Sequence, residues 1–265
     1  TSHIGQAERF EQINVDGTAH VLRFCEAAGA AIMHVSTVSV SGTRFEKEEH
    51  RSGTFTESCY YIGQEYADNE YRKSKFLAEG LVLDASTRGI DARIFRVGNL
   101  TCRSTDGKYQ INPQANAFAQ RLSVITAIRR IPIGALSSAL EMTAVDACAQ
   151  AIVALSLMTG ARSRIYHVYN PQSLTLSSLV DAMRAEGIDV NTISDEAFNV
   201  LLTQMSKKGD YNNLAGLMPD IGARPPLILP DAAITQAHLA RTCFTWPAPD
   251  FDYLRRFVRM VLLKQ

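Results

Sequence analysis

The chain has 265 residues, 27 Lys+Arg against 27 Asp+Glu, and 46 % hydrophobic residues. Such a composition fits a globular protein with one large core or two lobes, excludes extensive disorder, and provides no basic surface for nucleic acid or an anionic membrane. The longest nearly apolar stretch, Ala147–Ala161, is too short and too polar at Gln150 and Ser156 to span a bilayer. Five scattered cysteines form no CxxC pair and six histidines are dispersed, which argues against a disulfide framework and a metal site and for a reducing, cytoplasmic setting.

In chain order, Asn14–Gly29 (NVDGTAHVLRFCEAAG) spaces Val15, Val21, Leu22 and Cys25 as a helix, with Gly29 as its stop. Ala31–Val40 (AIMHVSTVSV) is β-branched and reads as a buried strand. The polar, aromatic segment from Gly42 reads as a long loop of the kind that serves a site. Glu70–Arg88 is predicted as an amphipathic helix that packs through Phe76, Leu77, Val82 and Leu83 and turns Glu79 outward. Asp91–Arg96 is a second strand, and Val97-Gly98-Asn99 a turn after it. This alternation indicates an α/β unit around a parallel sheet.

Further on, Ala117–Arg129 and Ala144–Leu157 read as helices and Arg164–Tyr169 as a strand. Thr175–Glu186 and Ser194–Lys207 are helices that open on hydroxyl caps. The tail from Pro230 is helical apart from a turn near TWPAPD.

The chemistry centres on Tyr71-Arg72-Lys73-Ser74-Lys75. Residues four apart share a helix face, so Tyr71 and Lys75 point to one place. An ammonium beside a phenol favours the phenolate and brings its pKa toward neutrality, which suits proton transfer to a carbonyl oxygen. The same spacing is also what a solvated helix face presents. Thr37, at the end of the first strand, lies where open α/β sheets place their ligand crevice; it reads either as a donor to a substrate carbonyl or as a strand residue satisfied by backbone.

The strings NVDGT, HVSTVSVSG, YRKSK–FLAE and IFRVGN, in that order and at fitting intervals, resemble the extended short-chain dehydrogenase/reductases. MTAVDACAQAIVAL, YHVYNPQSLTLSSLVDAM and RTCFTWPAPDFDYLRRFV narrow the resemblance to thioester reductase domains of nonribosomal peptide and polyketide synthases and of carboxylic acid reductases. The resemblance implies an α/β fold with a Rossmann-like parallel sheet and a smaller, mostly helical substrate lobe. It implies a division into residues 1–107 and 144–170 for the sheet, 108–143 for an insertion of the substrate lobe, and 171–265 for the lobe itself.

The same resemblance makes Thr37, Tyr71 and Lys75 the catalytic residues. Asn14, Tyr71, Lys75, Val97, Gly98 and Asn99 become the cofactor-binding ones, with NADPH as cofactor. Asn14 reads equally as a helix N-cap, the Val97–Asn99 turn as a plain strand ending, and Asp146 as structural. The implied partners are an acyl or peptidyl thioester and the phosphopantetheinylated carrier protein that bears it.

No GxGxxG or GxxGxxG occurs in the sequence, so the loop that grips a cofactor pyrophosphate is not here. The expectation is that the front half of the sheet precedes this chain in a longer domain. Two other functions stay open at this point: a sugar-nucleotide epimerase or dehydratase of the same superfamily, and a non-catalytic α/β module.

Overall fold

The computed structural model describes residues 7–42, 55–66, 69–113, 116–159, 164–208 and 230–263. Its helices are α1 (Ala7–Phe10), α2 (Gly17–Ala28), α3 (Glu70–Thr87), α4 (Ala117–Ile128), α5 (Val145–Ser156), α6 (Leu176–Ala185), α7 (Asp195–Lys208), α8 (Ala233–Leu239) and α9 (Phe251–Phe257). π-helical turns, Glu11–Asp16 and Val258–Leu262, join α1 to α2 and extend α9. The strands are β1 (Ile32–Thr37), β2 (Ala92–Val97), β3 (Leu100–Thr101), β4 (Arg130–Pro132), β5 (Ala139–Leu140), β6 (Thr143–Ala144), β7 (Ile165–Val168), β8 (Leu174–Thr175) and β9 (Asn191–Ile193).

β1, β2 and β7 form a parallel sheet in the order β1-β2-β7, with Ile32 opposite Ala92 and Ile94 opposite Ile165. A parallel sheet is stable when both faces are covered, and the alternation of β2 shows how this one is. Ala92 and Ile94 join Leu22, Cys25, Val82 and Ala85 of α2 and α3 in one apolar cluster. Phe95 and Val97 belong to the larger cluster with α4, α5, α6 and α9. On β1 that second face is open: Met33 is 36 % and Val35 46 % exposed. The α/β class with a parallel sheet is therefore as the sequence pattern indicates.

Several boundaries differ from the pattern. The first strand stops at Thr37, because its side chain accepts from the Ser39 N–H and starts a 3-10 turn, Val38–Ser41. The first helix does not open at Asn14 but runs through it from α1, so Asn14 is no N-cap. The pairs β3–β6, β4–β9 and β5–β8 have strands of two or three residues, too short for any periodicity to register. Of the long loop, residues 43–54 and 67–68 lie outside the described residues.

Glu79 is the clearest correction. It faces inward, fully buried, and pairs with Arg96 of β2 at 2.7 Å. Arg96 is a buried guanidinium near the C-terminal end of the central strand and cannot lose its charge, so the helix facing it supplies a carboxylate. Removing one partner leaves an uncompensated buried charge. Glu79→Ala is expected to lower the unfolding free energy by about 3–5 kcal/mol in urea titration, whereas Arg88→Ala, which breaks exposed contacts to Glu26 and Asp84, leaves the midpoint at the wild-type value.

Candidate active site

The site grows from the way α3 is docked. Asn69 caps it by accepting from the Arg72 N–H at 3.1 Å. Lys75 Nζ then donates to the Val35 carbonyl of β1 at 3.1 Å. Tyr71 is one turn nearer the start of α3, and so lies toward the strand end where Thr37 sits. The Thr37 hydroxyl shares a hydrogen bond of 2.7 Å with Ser39 Oγ. Lys75 thus ties α3 to β1, and Thr37 ends that same strand at the C-terminal edge of the parallel sheet, the usual place of a ligand crevice in such folds.

Asn14 enters the site indirectly. Its Nδ2 donates to Ser74 Oγ at 2.9 Å, and Ser74 Oγ donates to the Tyr71 carbonyl at 3.0 Å. The π-helical turn holding Asn14 follows directly on Phe10, whose ring meets the Tyr71 ring edge-on at 5.8 Å. π-turns within helices recur at functional sites because the extra residue re-aims side chains. Here the turn secures the first turn of α3.

Burial dominates the electrostatics. It pushes the Tyr71 phenol above its ordinary pKa and the Lys75 ammonium below its own, with nearby Glu79 opposing the latter shift. A phenol lowered by Lys75 is thus not what the chain shows; Nζ is engaged by the Val35 carbonyl. His34 on β1 is lowered to about 4 by burial and by Lys75, so it is neutral at pH 7. Among the described residues its Nε2 and the Ser36 Oγ are buried without a hydrogen-bond partner, two polar atoms on β1 left unanswered there.

The Val97–Asn99 turn closes the other side of the strand ends. The Gly98 N–H donates to the Val168 carbonyl at 3.3 Å, and the Asn99 N–H to Glu141 Oε2 at 2.5 Å. Glu141 is buried, and burial raises its carboxyl to about 7 against the pull of the hydrogen bonds from Thr143 and Asn99. Asp146 lies apart from the site and accepts from the Ser104 N–H and hydroxyl, a structural task. Among the described residues no cluster of three or more His, Cys, Asp or Glu side chains could hold a metal, and no helix is long and apolar enough to cross a membrane.

Sequence reasoning missed Ser74, Glu79 and Glu141. For Glu79 the signal was available: it follows Lys75 by four residues and Tyr71 by eight, so all three share a face of α3. Ser74 stands inside the motif itself. Glu141 gave no signal, because it follows a two-residue strand and its partners come from the turn after β2 and from β6.

A family model described as male sterility protein, an NAD-binding domain, matches residues 1–152. Glycine betaine reductase of Emericella nidulans is 27 % identical over 194 residues, 72 % of this chain and 14 % of that protein. Among solved structures, a thiolation-reductase di-domain from an archaeal non-ribosomal peptide synthetase is 28 % identical, with a TM-score of 0.84, covering 98 % of this chain and 55 % of that one. A reductase domain from the aureusimine biosynthetic cluster is 27 % identical, with a TM-score of 0.82, covering 100 % and 68 %. The chain therefore spans a small part of the curated relative and about half of the first of these structures.

The raised Glu141 carboxyl fixes the sign of a pH effect. Between about 4.5 and 7 the folded chain keeps a proton that the unfolded chain releases, so this group's contribution to stability is full below that window and lost across it. The stability difference between wild type and Glu141→Gln is expected to fall by roughly 3 kcal/mol from pH 4.5 to pH 7 and then level off, measured by urea unfolding at each pH. A flat difference contradicts the raised value.

Proposed function

Since the chain belongs to the male sterility protein family of NAD-binding domains, we propose that it reduces the thioester of a carrier-protein-bound acyl or peptidyl chain to an aldehyde, with NADPH as cofactor. The observation that carries this reading is Lys75 anchored on the Val35 carbonyl of β1, the strand that Thr37 ends, with Tyr71 one helical turn before Lys75 on α3. A resemblance between similar proteins supports the substrate class: the solved archaeal structure joins a reductase domain to a thiolation domain.

The residues present fit the nicotinamide–ribose half of such a cofactor. Tyr71 and Lys75 supply hydroxyl and ammonium donors, and Ser36 and His34 leave unmet polar atoms on the strand beneath. The N–H groups of Gly98 and Asn99 and the Asn99 carbonyl are committed inside the protein, which fixes the shape the turn presents to the carboxamide end. Bound reduced nicotinamide would supply a hydride. Asn14 acts through Ser74, holding the start of α3 in place.

The chain's own work is on the substrate oxygen. The Thr37 hydroxyl orients the thioester carbonyl, and Tyr71 donates its proton to the oxygen as the carbon is reduced. Lys75 offsets the charge left on the phenol. The hemithioacetal then collapses: its hydroxyl loses a proton, the C–S bond breaks, and aldehyde and thiol separate. A second round can take the aldehyde to the alcohol.

Within this reading, residues 1–107 and 144–170 form the cofactor side, and 108–143 with 171–265 the substrate lobe. The pairing of β4 with β9 and of β5 with β8 ties the insertion to that lobe. Met33 and Val35 stand exposed on the open face of β1 on that cofactor side. Tyr71→Phe is expected to cut aldehyde release from an acyl-pantetheine thioester by at least about a hundredfold, a larger loss than any fall in NADPH affinity read by fluorescence. Full activity in the variant overturns the assignment.

A further inference from the structure

The turn after β2 is built around one buried carboxylate. A Cβ placed on Gly98 would lie 2.6 Å from Glu141 Oε2 and 2.7 Å from both Oε1 and Cδ. Gly98 is not among the residues with a left-handed backbone, so its conformation does not call for glycine. The carboxylate does: it occupies the space that any side chain at position 98 would need.

Both carboxylate oxygens are engaged. Oε2 accepts the Asn99 N–H, and Oε1 accepts the Thr143 hydroxyl. Asn99 reaches back, its carbonyl accepting the Thr143 N–H at 3.0 Å and its Nδ2 donating to the Glu141 carbonyl at 3.4 Å. Thr143 Oγ1 in turn accepts the Asn170 N–H at 2.8 Å, just past β7, and Asn170 Nδ2 donates to the Pro247 carbonyl at 2.9 Å. One line of hydrogen bonds therefore runs from the turn, through Glu141, to the segment preceding α9.

We propose that Glu141 is a positioning residue: its carboxylate sets the shape of the Gly98–Asn99 turn against the cofactor's nicotinamide end, and Gly98 is glycine to admit it. The proposal rests on the reading of the turn given under the proposed function. Glu141 touches neither cofactor nor substrate in this account; it acts through the Asn99 peptide and ties that peptide to the substrate-lobe segment at Pro247. A residue that only stabilised the fold would weaken every ligand alike, whereas one that shapes this turn affects only ligands carrying a nicotinamide.

The test uses Gly98→Ala, Glu141→Ala, their double variant and Glu141→Gln. Hydrogen exchange at the Asn99 amide is expected to rise about ten- to a hundredfold in Glu141→Ala and to stay near wild type in Glu141→Gln, which keeps an acceptor. NADPH affinity is expected to fall about tenfold in each alanine variant, with the double no weaker than Glu141→Ala alone, since the clash at Gly98 is then gone. Affinity for 2′-phospho-ADP-ribose, which lacks the nicotinamide, is read on the same polypeptide that binds NADPH, alone or extended upstream, and stays constant throughout. Parallel loss of both ligands, independent addition of the two single effects, or unchanged Asn99 exchange overturns the proposal. If the wild-type chain binds no NADPH either alone or extended upstream, the cofactor reading fails instead, and Asn99 exchange still decides whether Glu141 holds the turn.

Discussion

A guanidinium at the centre of a parallel sheet has to be answered on every side, and the placement of the site depends on how Arg96 is answered here. Its Nε donates to both oxygens of Glu79 at 3.1 Å, and Nη2 donates to Oε2 at 2.7 Å. Nη1 donates to the Cys59 carbonyl at 3.0 Å and to His167 Nε2 at 3.2 Å, while the Phe55 ring lies 4.5 Å from the cation. The cost of leaving such a group unpaired in the interior is several kcal/mol, so the helix that carries Glu79 has one register available. Tyr71 and Lys75 lie two turns and one turn before Glu79 on that helix. The chemistry at the strand ends is thereby indexed to an ion pair two turns below it.

The same centre draws in the rest of the chain. Because Arg96 only donates, His167 Nε2 accepts from it, and the ring proton sits on Nδ1, donating to the Asp231 carbonyl at 2.7 Å. Burial and the Arg96 charge hold His167 down to about 3, so that tautomer persists at neutral pH. Glu57, from the segment before α3, accepts from the N–H groups of His167, Ile234 and Thr235 and from the Thr235 hydroxyl. Strand, site-bearing helix, connecting segment and the start of α8 thus share one buried polar assembly. Such an assembly tolerates no half-satisfied member, which makes it a device for specifying one arrangement as well as for stabilising it.

These interactions explain which parts of the molecule were legible in sequence. The β-branched run from Ala31, the DARIFR strand and the helix over 70–88 are set by local pattern and all form, although the run to Val40 ends as a strand at Thr37 and Leu77, read as packing, is exposed. The Tyr71–Lys75 spacing is also local, so their place on one face of α3 needed no knowledge of the fold. Glu79 was misread because hydrophobic pattern assigns a carboxylate to solvent, and only the buried Arg96 opposite reverses that assignment. Glu141 and Glu57 owe their roles to partners 42 and 110 residues away, and no window along the chain contains both ends of such a contact. Asn14 shows the intermediate case: its partner Ser74 stands in the motif, but the π-turn that aims it has no compositional mark.

Burial moves the two groups of the Tyr71–Lys75 pair in opposite senses, and for a reductive reaction that is the useful direction. A phenol raised above its ordinary value keeps its proton at neutral pH, and the proton is what a reduced carbonyl oxygen requires. The Lys75 ammonium is lowered by burial and drawn back by Glu79, so it is partly withdrawn from solvent with a carboxylate favouring its charge. In a low-dielectric crevice that charge interacts more strongly with a phenolate as it forms than it would in water. Lys75 therefore need not pre-ionise Tyr71 to serve it. In the proposed reaction its part is to stabilise the anion after proton transfer, while the Val35 carbonyl and the nearby Glu79 charge hold the ammonium in place.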